Sequence, residues 1–260
     1  MVAAHRIGAL SVLVHKDQDE LAQAAADTFA AVVRAELRER PEVAVMLATG
    51  NSQLAFMRRL RESDVEWQRV RVFHMDEYVG IAEDHPASFR RYLHDQLVDV
   101  VRPRAFHPVV GDAPDPEAEA RRYGELLADH PRAVCVMGIG ENGHLAFNDP
   151  PADLHATDAA RVVELDIASR RQQVGEGHFP TLEATPERAI TVTIPALLAA
   201  RRVLVVVPEE RKAAAVRDAL TGDVRANCPA SVLRRHEHAT LHLDRGSASL
   251  LGHDVSVLGW

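Results

Sequence analysis

Four short stretches of this chain combine residue types that can hold an anion or move a proton. The richest is GIGENGHLAFNDP at 138–150, where Gly138, Gly140 and Gly143 permit tight bends and His144, Asn148 and Asp149 follow closely. An imidazole suits proton transfer near neutral pH, and an acid beside it fixes its tautomer. HMDEYVG at 74–80 carries Asp76 and Glu77, which extended backbone sends to opposite sides, so one carboxylate faces a crevice and its neighbour turns away. ATGNSQ at 48–53 reads as a turn into a helix capped by Asn51 or Ser52, and N–H groups at such a turn, with Thr49 and Gly50 leading into it, form an anion site. Lys212, one of two lysines in the chain, opens the helix ERKAAAVRDAL and could meet a phosphate as a point charge.

Taken singly, each stretch also fits an ordinary structural role: a glycine turn, a capping aspartate, a buried histidine with an Asx turn, a solvated lysine. Their shared position, each just beyond a strand, is what argues for chemistry. Three further patterns carry less. The glycines at 138, 140 and 143 match the letters of a dinucleotide fingerprint, but Asn148, Asp149, Pro150 and Pro151 stop any helix that motif requires. HEHATLH at 236–242 is not the zinc-protease helix, so no metal is expected there. RRQQ at 170–173 could lend an arginine to a phosphate or serve as a polar face.

The elements that must position these loops are legible in the hydrophobic pattern. Buried strands are expected at 10–14, 43–48, 70–75, 133–139, 189–194, 202–207 and 239–244, with helices over 18–38, 52–62, after Pro86 and over 117–128. This alternation predicts a single α/β domain over 1–260, a doubly wound, mostly parallel sheet with helices on both faces. Ligands of such sheets bind at the carboxyl ends of the strands.

With 260 residues, 47% of them hydrophobic, the chain can bury a full core, and a net charge of -8 argues against a nucleic-acid or acidic-membrane partner. Any anionic ligand needs a local cluster of donors. Two cysteines, Cys135 and Cys228, fit buried thiols rather than a disulfide framework, and the short apolar run after Arg6 is too short for a signal peptide or a membrane span. A cytoplasmic location is expected, and a homo-oligomer is left open.

At HMDEYVG with His85-Pro86, and at GIGENGHLAFNDP, the chain resembles the glucosamine-6-phosphate deaminase/isomerase family, whose superfamily includes the 6-phosphogluconolactonases; the likeness runs from Val43 to Asp244. The resemblance implies an open-chain amino-sugar phosphate substrate, release of ammonia with a ketose phosphate, and no metal or redox cofactor. It makes Asp76 the base that moves a proton from C2 to C1 and His144 the ring-opening group. Asp149 stands where many members have Glu, and Asn142 where many have Asp. ATGNSQ takes the phosphate-loop position, Lys212 matches the phosphate lysine, and Arg171, or else Arg170, the assisting arginine. Glu77 and Gly143 join the substrate-binding set. Competing readings are a galactosamine 6-phosphate substrate, lactone hydrolysis on the same fold, and a non-catalytic sugar-phosphate sensor. The last is disfavoured because strand-like sequence begins within the first residues, where a DNA-binding segment would be expected.

Overall fold

The computed structural model describes residues 3–252. A hairpin of β1 (Ala3–Ile7) and β2 (Leu10–Val14) leads into α1 (Gln18–Glu39), and β3 (Val43–Leu47) and α2 (Leu54–Arg61) follow. Next come β4 (Val70–His74), β5 (Asp76–Tyr78), α3 (Phe89–Leu93), a π-helical turn (His94–Val98), α4 (Asp99–Val101), β6 (Ala105–His107), α5 (Pro116–Asp129) and β7 (Arg132–Met137). The chain closes with β8 (Ala160–Glu164), α6 (Ile167–Gly175), β9 (Arg188–Val192), α7 (Ile194–Leu198), β10 (Arg202–Val207), α8 (Ala213–Thr221) and β11 (Ala239–Leu243).

Eight strands form the main sheet in the order β1-β2-β11-β10-β7-β3-β4-β6, all parallel except β1. Its central strands are buried on both faces, which is why they read as unbroken apolar runs. Alternate residues feed two cores. Val45, Leu47, Val134, Val136, Leu204 and Val206 pack with Phe29 of α1 and Phe56 of α2, whereas Met46, Cys135, Met137, Val203 and Val205 pack with Tyr123 of α5 and Val216 of α8. After β3 the chain runs outward through β4 and β6, then returns to place β7 on the other side of β3. The strand order therefore reverses between β3 and β7, and the loops leaving these two strands open a crevice at that point.

A second sheet, β5-β9-β8, is antiparallel. The run at 189–194, grouped with the parallel strands from sequence, belongs to this smaller sheet. Apolar alternation identifies a strand but not its partners. Only Met75 separates β4 from β5, and its carbonyl accepts from Val192 N at 2.8 Å, so the chain passes directly from one sheet to the other.

Glu77 anchors this crossing. Fully buried, its carboxylate accepts from Tyr78 N (3.0 Å), Ser88 Oγ (2.8 Å), Phe89 N (3.2 Å) and Arg90 N (3.0 Å), which ties β5 to the first turn of α3. Arg90 Nε lies 3.6 Å away. Burial raises the pKa of Glu77, and these four donors oppose that rise. Replacing Glu77 by Ala strands the donors and removes one of the two carboxylates near Arg90, so Glu77→Ala should lower unfolding stability by about 3 kcal/mol. Equilibrium urea denaturation checks this, with an unchanged midpoint as the contrary result.

Candidate active site

The crevice at the strand-order reversal holds about 590 Å³, counting the part open to solvent. Loops after β3, β4, β7 and β10 converge on it, bringing Thr49, Gly50, Ser52, Asp76, Gly140, His144 and Lys212 to one wall-lined space. Phe89 and Phe147 supply apolar walls, and α6 with the residue after it adds Gln172, Gln173 and Glu176.

Asp76 is 6% exposed, and among the described residues its carboxylate has no hydrogen-bond or ion-pair partner. Burial, then repulsion from Glu77, pushes its pKa up to about 8. Such a group is a carboxylic acid for much of the time at pH 7 and a strong base once ionised.

His144 is set by a network beneath it. Its Nδ1 lies 3.1 Å from Asp149 Oδ1 and 3.1 Å from Ser169 Oγ. Ser169 Oγ and Asn142 Nδ2 (3.1 Å) also donate to Asp149 Oδ1, and Asp166 N donates to Oδ2 at 3.1 Å. Asn142 Oδ1 accepts from the His144 N–H at 3.0 Å. Burial acts to raise the Asp149 pKa, but the bonds from His144, Ser169 and Asn142 outweigh it and hold the carboxyl below its usual range. An ionised Asp149 favours the proton on Nδ1, leaving the lone pair of Nε2 for the cavity. The ring fits only because residue 140 is glycine: a Cβ there would fall within 2.4 Å of three ring atoms.

Lys212 lies 3% exposed at the first turn beyond β10. Among the described residues its ammonium has neither hydrogen bond nor ion pair, and burial followed by the neighbouring charge of Arg211 lowers its pKa. A buried ammonium lining a cavity beside the Gly50–Ser52 turn has the charge, and the turn the N–H groups, that suit an anion.

Not every expected residue lines the cavity. Glu77 is consumed by the α3 tie described above. Gly143 has φ 85° and serves the turn, donating to Gly140 O and accepting from Ala230 N, both at 3.0 Å. Asn51 is exposed and bonds through Nδ2 to Glu176 O at 3.1 Å. Arg171 is exposed on α6 and outside the cavity lining, and Arg170 is spent on Leu182 O and Thr185 O at 2.8 and 2.9 Å. Asn142 and Asp149 position His144 rather than face the cavity. His236 and His238 meet at 5.2 Å, whereas His242 stacks on His15 inside the sheet. Sequence reasoning does not single out Ser169, Gln172, Gln173, Glu176 or Gln53: Ser169 and Glu176 stand in no motif, and in RRQQ and ATGNSQ the arginines and the turn, rather than the glutamines, carry the anion-binding reading; Gln53 is buried against Val206 O at 3.1 Å.

Residues 16–242 match the family model described as glucosamine-6-phosphate isomerases/6-phosphogluconolactonase. The chain belongs to this family. The glucosamine-6-phosphate deaminase of Exiguobacterium sibiricum is 34% identical over 92% of the chain and 94% of its own length. That of Bacillus cereus strain B4264 is 32% identical, over 95% and 91%. Among solved structures of the family, a monomeric glucosamine-6-phosphate deaminase superposes with a TM-score of 0.84 at 30% identity, covering 92% of this chain and 99% of that one. A 6-phosphogluconolactonase from Shewanella baltica, 19% identical with a TM-score of 0.75 over 94% and 100%, shares the fold.

Two outcomes follow from this family member's site. Because the folded pKa of Asp76 is raised, its contribution is favourable below the unfolded carboxylate value and is lost as pH rises through about 8. Asp76→Asn should therefore leave the melting temperature nearly unchanged near pH 3.5, raise it modestly at pH 5 and raise it most at pH 9. A shift that is equal at all three values would contradict the buried, unpartnered carboxylate. Gly140→Ala should displace the imidazole and cut turnover by about a hundredfold while the fold survives, readable from kinetics beside circular dichroism.

Proposed function

We propose that this protein is a glucosamine-6-phosphate deaminase, converting glucosamine 6-phosphate and water to fructose 6-phosphate and ammonia. The observation that carries the reading is one cavity that holds an unpartnered buried carboxylate, an imidazole with a free Nε2, and an unpartnered buried ammonium beside a helix-entry turn. The relatives named above support it.

In this reading the steps run as follows. Lys212 and the backbone N–H groups of the 49–52 turn hold the phosphate, and this remote binding fixes the sugar over the catalytic groups. His144 Nε2 takes the proton from the C1 hydroxyl and returns it to the ring oxygen, which opens the pyranose to an aldehyde. Asp149 stays ionised throughout and stabilises the imidazolium formed in between. Asp76 then removes the C2 proton, acidified by the C1 carbonyl, and delivers it to C1, while the C2 ammonium gives one proton to O1, so that C1 becomes CH2OH and an iminium is left at C2. Water adds to C2, one of its protons passes to the nitrogen, the C2–N bond breaks to release ammonia, and loss of the second proton, which ammonia takes up, leaves the C2 carbonyl of the ketose. Lactone hydrolysis needs no such transfer from C2 to C1, so a buried base of raised pKa, without an ion-pair partner among the described residues, supports the deaminase over the lactonase reading.

A coupled assay of ammonia and fructose 6-phosphate tests this, run beside galactosamine 6-phosphate and 6-phosphogluconolactone. Turnover of the lactone alone would refute the proposal. Asp76→Asn should abolish ammonia release while sugar-phosphate binding persists. The base must be ionised in the free enzyme, so kcat/KM should climb about tenfold per pH unit below roughly 8 and level off above it. A profile already flat from pH 6 would remove Asp76 from the role.

A further inference from the structure

Lys212 offers one positive charge to a phosphate that carries nearly two, and neither arginine of α6 lines the cavity. Arg211, the residue before Lys212, does not line the cavity either, but it reaches the cavity wall through Glu176. Its Nη1 lies 2.7 Å from Glu176 Oε1 and 2.8 Å from Glu141 Oε1. Glu176 itself lines the cavity, its side chain 10% exposed, and Gln172 Nε2 donates to the same Oε1 at 2.9 Å. Burial works against ionisation of Glu176, but His178, Arg211 and Gln172 bring its pKa down to about 2, so it is a carboxylate at every working pH.

A carboxylate thus stands on the cavity wall with Arg211 behind it, in the same space that Lys212 faces. That is a poor neighbour for a phosphate, because like charges in a partly buried site repel strongly. It is a good substitute for one, because carboxylate and phosphate present paired oxygens to the same guanidinium fork.

We propose that Arg211 is the second phosphate-binding cation of this enzyme and that Glu176 occupies its guanidinium in the empty site, to be displaced when the substrate phosphate arrives. The inference rests on the sugar-phosphate reading of the cavity. Glu141, and Glu209 whose Oε2 accepts from Arg211 Nε at 2.5 Å, keep their bonds through the exchange and hold the guanidinium in place. Glu176 therefore sets the affinity for phosphate by competition, and through it the range of anionic sugars accepted.

The test uses inorganic phosphate in isothermal titration calorimetry and glucosamine 6-phosphate in steady-state kinetics, on the wild type and on Arg211→Ala, Arg211→Lys and Glu176→Gln. Arg211→Ala should raise the Kd for phosphate and the KM about tenfold with kcat within about threefold, since uniform binding energy appears in KM. Arg211→Lys should recover part of that loss. Glu176→Gln should tighten phosphate binding several-fold and lower KM. A merely structural tie predicts the opposite, weaker binding with a lower melting temperature, and that result overturns the proposal, as does an Arg211→Ala variant with unchanged Kd and KM. If the wild type turns over the sugar phosphate while these variants match it, this inference alone fails. If the wild type neither binds phosphate nor releases ammonia, the functional reading fails with it.

Discussion

The site depends on keeping two buried charges apart. Asp76 and Lys212 are each almost wholly withdrawn from water, each lacks a bonded partner among the described residues, and they project into one cavity from loops on opposite sides of β3. Burying an uncompensated charge costs several kcal/mol, which a sequence under no functional demand would relieve by pairing the two. The fold prevents the pairing by topology. Asp76 follows β4 and Lys212 follows β10, with β3 and β7 between them in the sheet.

The small antiparallel sheet makes that separation rigid. β5 begins at Asp76 itself, which is in register with Thr191, while Glu77 on the other side of the strand accepts four hydrogen bonds. The two adjacent acids thus divide the work: one is saturated with donors and fixes the backbone, and the other is deprived of them and keeps its basicity. The same division appears at the β7 loop. Asp149 is saturated and holds the imidazole, and Nε2 of His144 is left without a partner. In each case a satisfied group aims an unsatisfied one.

Much of this was legible from sequence, for identifiable reasons. The parallel strands are buried on both faces and give long apolar runs, and HMDEYVG and GIGENGHLAFNDP combine several chemistry-bearing types over a few residues. The opposite facing of Asp76 and Glu77 followed from strand geometry alone. What escaped was whatever depends on partners distant in the chain. β5, β6 and β8 are short or polar runs that become strands by pairing, and β9 could be recognised as a strand without its sheet. The polar residues of α6 illustrate the same limit: RRQQ offers two arginines to a phosphate, yet helix geometry and the carbonyls at 182 and 185 take Arg170 away, leave Arg171 exposed, and turn Gln172 and Gln173 inward.

Ser169 explains how the loop tolerates two residues that differ from many relatives. An aspartate at 149 reaches one methylene less far than a glutamate, and an asparagine at 142 brings no charge, so the imidazole would be expected to lose orientation. Instead Ser169, delivered by α6, bonds both Asp149 Oδ1 and the neighbourhood of His144 Nδ1, and Asn142 donates to Asp149 while accepting from the His144 N–H. One carboxylate with two neutral partners thus orients the imidazole. The β7 loop therefore holds its imidazole with a single acid and two neutral hydrogen-bonding side chains.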